Sequence, residues 1–159
     1  MNICLLFHCL CESYDQLPER EQELFVSLSD LQSMIVDLKN RGFDFGPLDH
    51  PGSKTATITF DDGYYNNAMF ESLAQSHGVP YLVFVSAYYS KTGEIYPWFQ
   101  EHGPGYSEVR FPDYYEYFKD ERNITDVHTA DDATRPMSLA ELDVMNQSDL
   151  AEIGCHGFY

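Results

Sequence analysis

Two adjacent carboxylates, Asp61 and Asp62, are the residues whose types and spacing best fit a chemical role. They directly follow residues 55–60, a run of β-branched and aromatic side chains that is typical of a strand. In a parallel α/β barrel the active site forms at the carboxyl ends of the strands. Neighbouring acids can divide the work there, because one can bind a divalent metal while the other serves as a general base. Gly63 permits the sharp turn that this needs, although Asp-Asp-Gly is also common in ordinary turns.

His156 is the second candidate, since it also follows a short predicted strand near Ile153. A histidine and an aspartate that arrive from the ends of two parallel strands can share one metal, because zinc accepts imidazole and carboxylate ligands. A single histidine is more often a hydrogen-bonded polar group or a surface residue. Its pairing with Asp62 favours the metal site over that simpler explanation.

Alternating strands and helices are predicted to position these residues. The apolar runs are continuous, as in strands that are covered on both faces of a parallel sheet. The two helical patterns between them each end at a glycine, Gly42 or Gly78. The order β-α-β-β-α-β indicates an α/β fold with a parallel sheet or barrel. We predict strands at residues 2–9, 43–48, 55–60 and 81–86, and helices at residues 29–41 and 66–77.

Two capping boxes mark where helices are expected to begin. Ser29 with Gln32 predicts the start of the first helix, and Ser138 with Glu141 predicts a short helix before the last strand.

The charge balance narrows the classes of partner. The chain has 159 residues with 9 Lys and Arg against 26 Asp and Glu, a formal net charge of −17. A basic face for nucleic acid or for an anionic membrane is therefore not expected. No apolar run approaches the roughly 20 residues of a membrane-spanning helix, and the first residues do not match a secretory signal, so we expect a cytoplasmic protein.

The four cysteines are expected to be small buried thiols, with a structural zinc site as the alternative.

Residues 88–137 interrupt the regular pattern with many aromatic side chains and an acidic, loop-like stretch. We interpret them as an insertion or an elaborated loop within a single domain, residues 1–159. Aromatic residues of this segment, Trp98 among them, can stack on sugar rings beside a site or pack the segment onto the domain.

Four stretches together resemble a known family. Thr59-Phe60-Asp61-Asp62-Gly63-Tyr64 resembles the first motif of the polysaccharide deacetylases, also called the NodB-homology or carbohydrate esterase family 4 proteins. Residues 78–85 resemble the strand that follows that motif, and residues 138–156 resemble the helix and strand that lead to the second motif. Residues 5–8 are similar to the family's first strand, which often carries a histidine where His8 lies. The resemblance covers nearly the whole chain outside residues 88–137.

The resemblance implies the N-terminal part of a deformed (β/α) barrel and a metal-dependent hydrolase that removes acetyl groups from N- or O-acetylated carbohydrate. Carried onto this sequence, it makes Asp61 the general base, with Asp62 and His156 as ligands of a divalent metal. Zinc is the expected metal, with cobalt, nickel or manganese as other possibilities. Tyr64, His8 and Trp98 are the expected substrate contacts; a hydrogen-bonded core histidine is an equal interpretation of His8.

The sequence also departs from the family. The family's second histidine ligand lies four residues after the first, whereas this sequence ends at Tyr159, and the family's later motifs are not found in it. We therefore expect this chain to be an N-terminal part of a longer enzyme and to be inactive by itself. The alternative is a non-catalytic carbohydrate-binding or scaffold protein that retains the fold. The presence of both Asp61 and Asp62 favours the enzyme, because a binding protein needs no free base beside a ligand carboxylate.

Overall fold

A parallel sheet of five strands forms the centre of the computed structural model, which describes residues 1–17, 19–48, 52–94, 96 and 134–157. Within these ranges the strands are β1 (Asn2–Phe7), β2 (Cys9–Cys11), β3 (Phe25–Ser27), β4 (Asp44–Phe45), β5 (Thr55–Phe60), β6 (Tyr81–Ser86) and β7 (Ala151–Gly157). The α-helices are α1 (Leu28–Asn40), α2 (Phe70–His77), α3 (Ala87–Thr92) and α4 (Leu139–Met145), and 3-10 helices span Tyr14–Gln16, Glu19–Leu24 and Tyr65–Met69. The predicted α/β fold with a parallel sheet is confirmed.

The sheet brings its carboxyl ends to one edge. Its order is β1-β5-β6-β7, and β4 pairs with the first part of β5. Every pairing in it is parallel, with Phe7 opposite Phe60 and Ser86 opposite Gly157. All six residues of β5 are buried, which agrees with the continuous apolar pattern of a strand covered on both faces. The residues that follow β1, β5 and β6 must therefore meet at a common edge.

One face of the sheet is packed against the helices through large apolar side chains. Phe60 lies 5.3 Å from Phe70 of α2 between ring centroids, and Phe70 lies 5.0 Å from Tyr81 of β6. Leu31 and Ile35 of α1 are fully buried at the spacing of one helical face. This packing fixes β5 and β6, the strands that lead into the predicted site.

The start of α1 differs from the predicted capping box. Ser27 is the N-cap, and its side chain accepts a hydrogen bond from the Asp30 amide, whereas Ser29 lies inside the helix. The Ser27 amide donates to the Tyr14 hydroxyl, so a contact with a distant segment places the chain at the helix start. The second capping box is confirmed, because both of its hydrogen bonds between Ser138 and Glu141 are present.

A second, two-stranded parallel sheet of β2 and β3 was not predicted. Its residues are buried, and it adds Leu10 and Val26 to the same apolar core. The helix predicted at residues 66–77 is divided: Tyr65–Met69 is a 3-10 helix and α2 follows it.

Most of the predicted insertion, including Trp98, lies outside the described residues, which leave out residues 95 and 97–133. Its described ends are α3, Tyr96 and residues 134–137, all of them packed close to the predicted site. None of the described helices combines the length and the apolar character that a membrane crossing requires.

Candidate active site

The predicted site residues meet at the carboxyl edge of the sheet. Asp61 and Asp62 follow β5 directly, and the Asp61 amide donates to the carbonyl of Phe7 at the end of β1, over 2.9 Å. His156 is the next-to-last residue of β7, close to Ser86 at the end of β6. Parallel pairing alone therefore brings residues from opposite ends of the sequence together.

His156 lies between the two carboxylates. Its Nε2 is 3.3 Å from Asp61 Oδ2, and its Nδ1 is 3.6 Å from Asp62 Oδ1. The carboxylate side chains are only 13% and 11% exposed, whereas the imidazole is 41% exposed and can be reached from solvent. Two nearly buried negative charges thus lie on either side of one accessible ring.

A neutral imidazole cannot satisfy both of these contacts by hydrogen bonding. A neutral imidazole has one N–H group, so it can donate to only one of the two carboxylates, and its other nitrogen then turns a lone pair toward the second. A cation between Nδ1 of His156 and Asp62 would remove that conflict, because the Nε2–H group could then donate to Asp61. Histidine ligands are commonly oriented by such a second carboxylate.

The turn that carries the carboxylates has an uncommon backbone. Asp62 has φ +71° and Gly63 has φ +76°, so two successive residues occupy the left-handed region. Residues other than glycine seldom adopt that region, although aspartate does so more often than most, and such residues cluster at functional sites. At Gly63 a Cβ atom would lie 2.6 Å from Val85 Cγ1, so any side chain there would require the turn or Val85 to move.

Tyr64 and Tyr96 hold Asp62 from two directions. The Tyr64 hydroxyl donates to Asp62 Oδ2 over 2.9 Å, and the Tyr96 hydroxyl donates to the backbone carbonyl of Asp62. Burial, followed by the nearby Asp62 charge, raises the pKa of Tyr96, so it stays protonated as a donor. Tyr64 is 2% exposed, which leaves no ring surface for a sugar. We therefore revise its expected role from substrate contact to support of Asp62.

A buried segment, residues 134–137, pairs with the turn in an antiparallel manner. The Met137 amide donates to the carbonyl of Gly63 over 2.9 Å, and the Tyr65 amide donates to the carbonyl of Arg135 over 2.8 Å. Tyr64 and Pro136 form an isolated antiparallel bridge between these bonds. The turn thus has main-chain bonds to this segment as well as to Ser86 at the end of β6.

Solved structures share this arrangement of chain. A de-N-acetylase from Aggregatibacter actinomycetemcomitans matches 98% of this chain over 54% of its own length, with 15% identity and a TM-score of 0.61. IcaB from Ammonifex degensii matches 99% over 53% of its length, with 17% identity and a TM-score of 0.58. A polysaccharide deacetylase from Bacillus cereus matches 98% over 38% of its length, with 18% identity and a TM-score of 0.56.

The chain has the polysaccharide deacetylase fold. It spans about half the length of the first two structures and less of the third. No protein-family model matches the sequence, and no curated protein does. The likeness therefore rests on the fold alone.

Within this fold, Asp62 and His156 fit a metal as two members of a ligand set. Two ligand atoms about 2.0–2.2 Å from a tetrahedral zinc lie about 3.4 Å apart, and the 3.6 Å between Asp62 Oδ1 and His156 Nδ1 is close to that spacing. The second Asp62 oxygen is held by Tyr64, which leaves Oδ1 for a metal. Among the described residues no group of three or more His, Cys, Asp or Glu side chains is arranged to hold a metal.

Two further buried residues close to the site, Asn66 and Asn67, were not predicted from the sequence. Asn66 accepts a hydrogen bond from the Leu10 amide, and Asn67 donates to the carbonyl of His8 over 2.7 Å. Both asparagines are buried, so they tie His8 and the β2 residue Leu10 to the residues after the turn. Their position in a run of apolar neighbours was the available signal. His8 lies at the same edge as Asp61, and its contact with substrate stays a prediction.

Proposed function

We propose that this chain carries the general base and two metal ligands of a metal-dependent carbohydrate deacetylase. The observation that carries the proposal is the convergence of Asp61, Asp62 and His156 at the carboxyl edge of a sheet with the polysaccharide deacetylase fold. The names of the similar structures support acetylated carbohydrate as the substrate class. Zinc as the metal and the cytoplasm as the location stay predictions.

Asp61 is the residue suited to take a proton from water. Its carboxylate is nearly buried beside His156, and it does not share the hydroxyl partner that fixes Asp62. As water attacks the acetyl carbonyl carbon, Asp61 accepts a proton from it. When the bond from that carbon to nitrogen or oxygen breaks, the departing atom takes up a proton, which Asp61 can return or solvent can supply. The products are acetate and the free amine or hydroxyl of the sugar. A positioned general base contributes about 10²- to 10⁴-fold to such a step.

Asp62 and His156 are the residues that would hold the metal. When bound, the metal would polarise the acetyl carbonyl and make water a stronger nucleophile at neutral pH. The two protein groups contribute by position: Asp62 is fixed by Tyr64 through its other oxygen, and His156 is oriented by Asp61. Each ligand is therefore restrained before a metal binds, which lowers the entropic cost of assembling the site.

The test is acetate release from N-acetylated chito-oligosaccharide and from an O-acetylated oligosaccharide, with zinc or cobalt added. The protein is used in the length that its gene encodes, alongside the Asp61→Asn variant. We expect release by the unchanged protein and a loss of at least about 10²-fold in the variant. Oligosaccharide binding without release, equal in both proteins, would instead support the non-catalytic carbohydrate-binding alternative.

A further inference from the structure

A buried ion pair lies behind the turn that carries the carboxylates. The Arg135 guanidinium donates through NH1 and NH2 to both carboxylate oxygens of Glu141, over 2.9 and 2.7 Å. The two side chains are 3% and 0% exposed. The guanidinium also lies 3.9 Å from the centre of the ring of Tyr65, the residue that follows Tyr64. Arg135 is thus fixed by a bidentate pair and by stacking on an aromatic face.

Stability alone is a weak explanation for this pair. Moving two charges out of water is costly, and apolar side chains of similar volume often give equal or greater stability. The Nε atom of Arg135 has no hydrogen-bond partner in the part of the chain that the structure describes, so its desolvation is incompletely offset. Glu141 also accepts from the amide and hydroxyl of Ser138 at the start of α4, which ties the pair to that helix.

The pair determines where residues 134–137 lie. NH1 of Arg135 donates to the carbonyl of Pro136, so the side chain also fixes its own backbone. That backbone makes the two hydrogen bonds to Gly63 and Tyr65 on either side of the Tyr64–Pro136 bridge. A displacement of Arg135 would therefore be transmitted to the turn through main-chain bonds rather than through the side chains of Asp61 and Asp62.

We propose that Arg135 is a positioning residue, whose ion pair with Glu141 and contact with Tyr65 hold residues 134–137 against the Asp62–Gly63 turn and so direct both carboxylates toward His156. The left-handed backbone of Asp62 is uncommon for a residue other than glycine, and such conformations persist where the surrounding structure holds them. The consequence for catalysis rests on the proposed function, whereas the effect on the turn does not.

The principal variant replaces both charges by apolar side chains, Arg135→Met with Glu141→Leu. It leaves no unpaired buried charge, so we expect it to fold. A second variant, Arg135→Lys, keeps the positive charge but loses the bidentate geometry and the stacked plane. The matched control is Ser138→Ala, which removes the helix cap and leaves Arg135 paired with Glu141.

Three measurements compare these variants with the unchanged protein. Hydrogen exchange of the Tyr65 and Met137 amides reports the bonds to the turn, with the Val83 amide of β6 as an internal reference. The ring-proton chemical shifts of His156 report its distance from the two carboxylates. Cobalt affinity reports the ligand geometry.

In the double variant we expect exchange at Tyr65 and Met137 to accelerate about 10-fold or more, with Val83 unchanged and the His156 shifts moved. Cobalt affinity should fall about 10- to 100-fold, as for the loss of other groups that orient ligands. Arg135→Lys should give the same changes at smaller size, and Ser138→Ala should give none. Where the unchanged protein releases acetate, the double variant should lower kcat and leave KM nearly unchanged.

Unchanged exchange at Tyr65 and Met137, or faster exchange with unchanged His156 shifts, in the double variant would overturn the inference. If that variant does not fold, Arg135→Lys decides by the same criteria. Failure of the unchanged protein to bind cobalt or release acetate would count against the proposed function instead, because exchange and the His156 shifts are measured without metal or substrate.

Discussion

The Tyr64 hydroxyl donates a 2.9 Å hydrogen bond to Asp62 Oδ2 in an environment that is almost closed to solvent. A charge-assisted bond of this kind fixes the carboxylate plane and leaves Oδ1 directed toward His156. Tyr64, two residues after the candidate metal ligand Asp62, therefore helps to hold that ligand in place. This relationship explains why an aromatic residue with a hydroxyl group occupies a fully buried position beside the turn.

Removing that hydroxyl should weaken metal binding without unfolding the protein. In Tyr64→Phe we expect zinc or cobalt affinity to fall about 10- to 100-fold, because the freed carboxylate can rotate. Tyr81→Phe is the matched control, since it deletes a similar 2.7 Å bond from a tyrosine to Glu71. Isothermal titration with each metal checks the prediction. Equal losses of affinity in the two variants would show that the effect is one of general stability.

The two adjacent aspartates should separate metal binding from proton transfer. Asp62→Asn should lose bound metal, because the carboxylate charge that holds the cation is removed. Asp61→Asn should retain most of the metal, since Asp61 contacts the imidazole of His156 and is not itself expected to be a ligand. Elemental analysis of the purified variants measures the difference. Equal metal loss in both would contradict the division of roles between them.

The cysteines should react in two classes. The expectation of buried thiols is confirmed for Cys9 and Cys11 of the small second sheet, but it is wrong for Cys4 and Cys155, which are exposed. Burial, with a contribution from the Asp30 charge, raises the pKa of the Cys11 thiol to about 11. Below that pH the thiol stays protonated and unreactive, because only the thiolate is nucleophilic. At pH 8, iodoacetamide should modify Cys4 and Cys155 in the folded protein, and peptide mass analysis identifies the labelled residues. Rapid labelling of Cys11 would contradict the placement of β2.

Much of the fold could be predicted because its signals are local. The continuous apolar run of β5 indicates a strand buried on both faces, and the glycine after α2 has the left-handed backbone of a helix end, φ +61° at Gly78. Ser27 and Ser29 show the limit of such signals. Both can cap a helix, and the choice depends on the bond between the Ser27 amide and Tyr14, which lies thirteen residues away.

The convergence of the three candidate site residues could be predicted, but the residues that support them could not. Asp61, Asp62 and His156 have recognisable types at strand ends, so parallel pairing brings them together. Arg135 and Tyr96 come from segments without a regular pattern. Tyr96 bonds to Asp62, 34 residues away, and Arg135 stacks on the distant Tyr65, although its ion-pair partner Glu141 is near in sequence. The role of Glu141 was predicted only as a cap, because nothing in the local sequence shows that the same carboxylate also binds Arg135.

The Gly63 turn gives a test in which two glycines with similar backbones should behave differently. Gly63 and Gly78 have φ +76° and +61°, but a Cβ at Gly63 would lie 2.6 Å from Val85 Cγ1, while at Gly78 it would meet nothing within 4 Å. Gly78→Ala should lower the free energy of unfolding by about 1–2 kcal/mol, the cost of the left-handed backbone alone. Gly63→Ala adds overpacking, so a loss of about 2–5 kcal/mol is expected.

Urea unfolding of both variants measures these losses, and cobalt titration shows whether the site moves with the turn. The Val85 backbone Cα, 3.2 Å from the added atom, cannot rotate away, so relief of the clash must displace the turn itself. We therefore expect Gly63→Ala to lose metal affinity together with stability, while Gly78→Ala keeps the affinity of the unchanged protein. Similar stability losses in the two variants would mean that the turn and β6 separate easily, and that Asp62 is held less firmly than its contacts with Tyr64 and Tyr96 indicate.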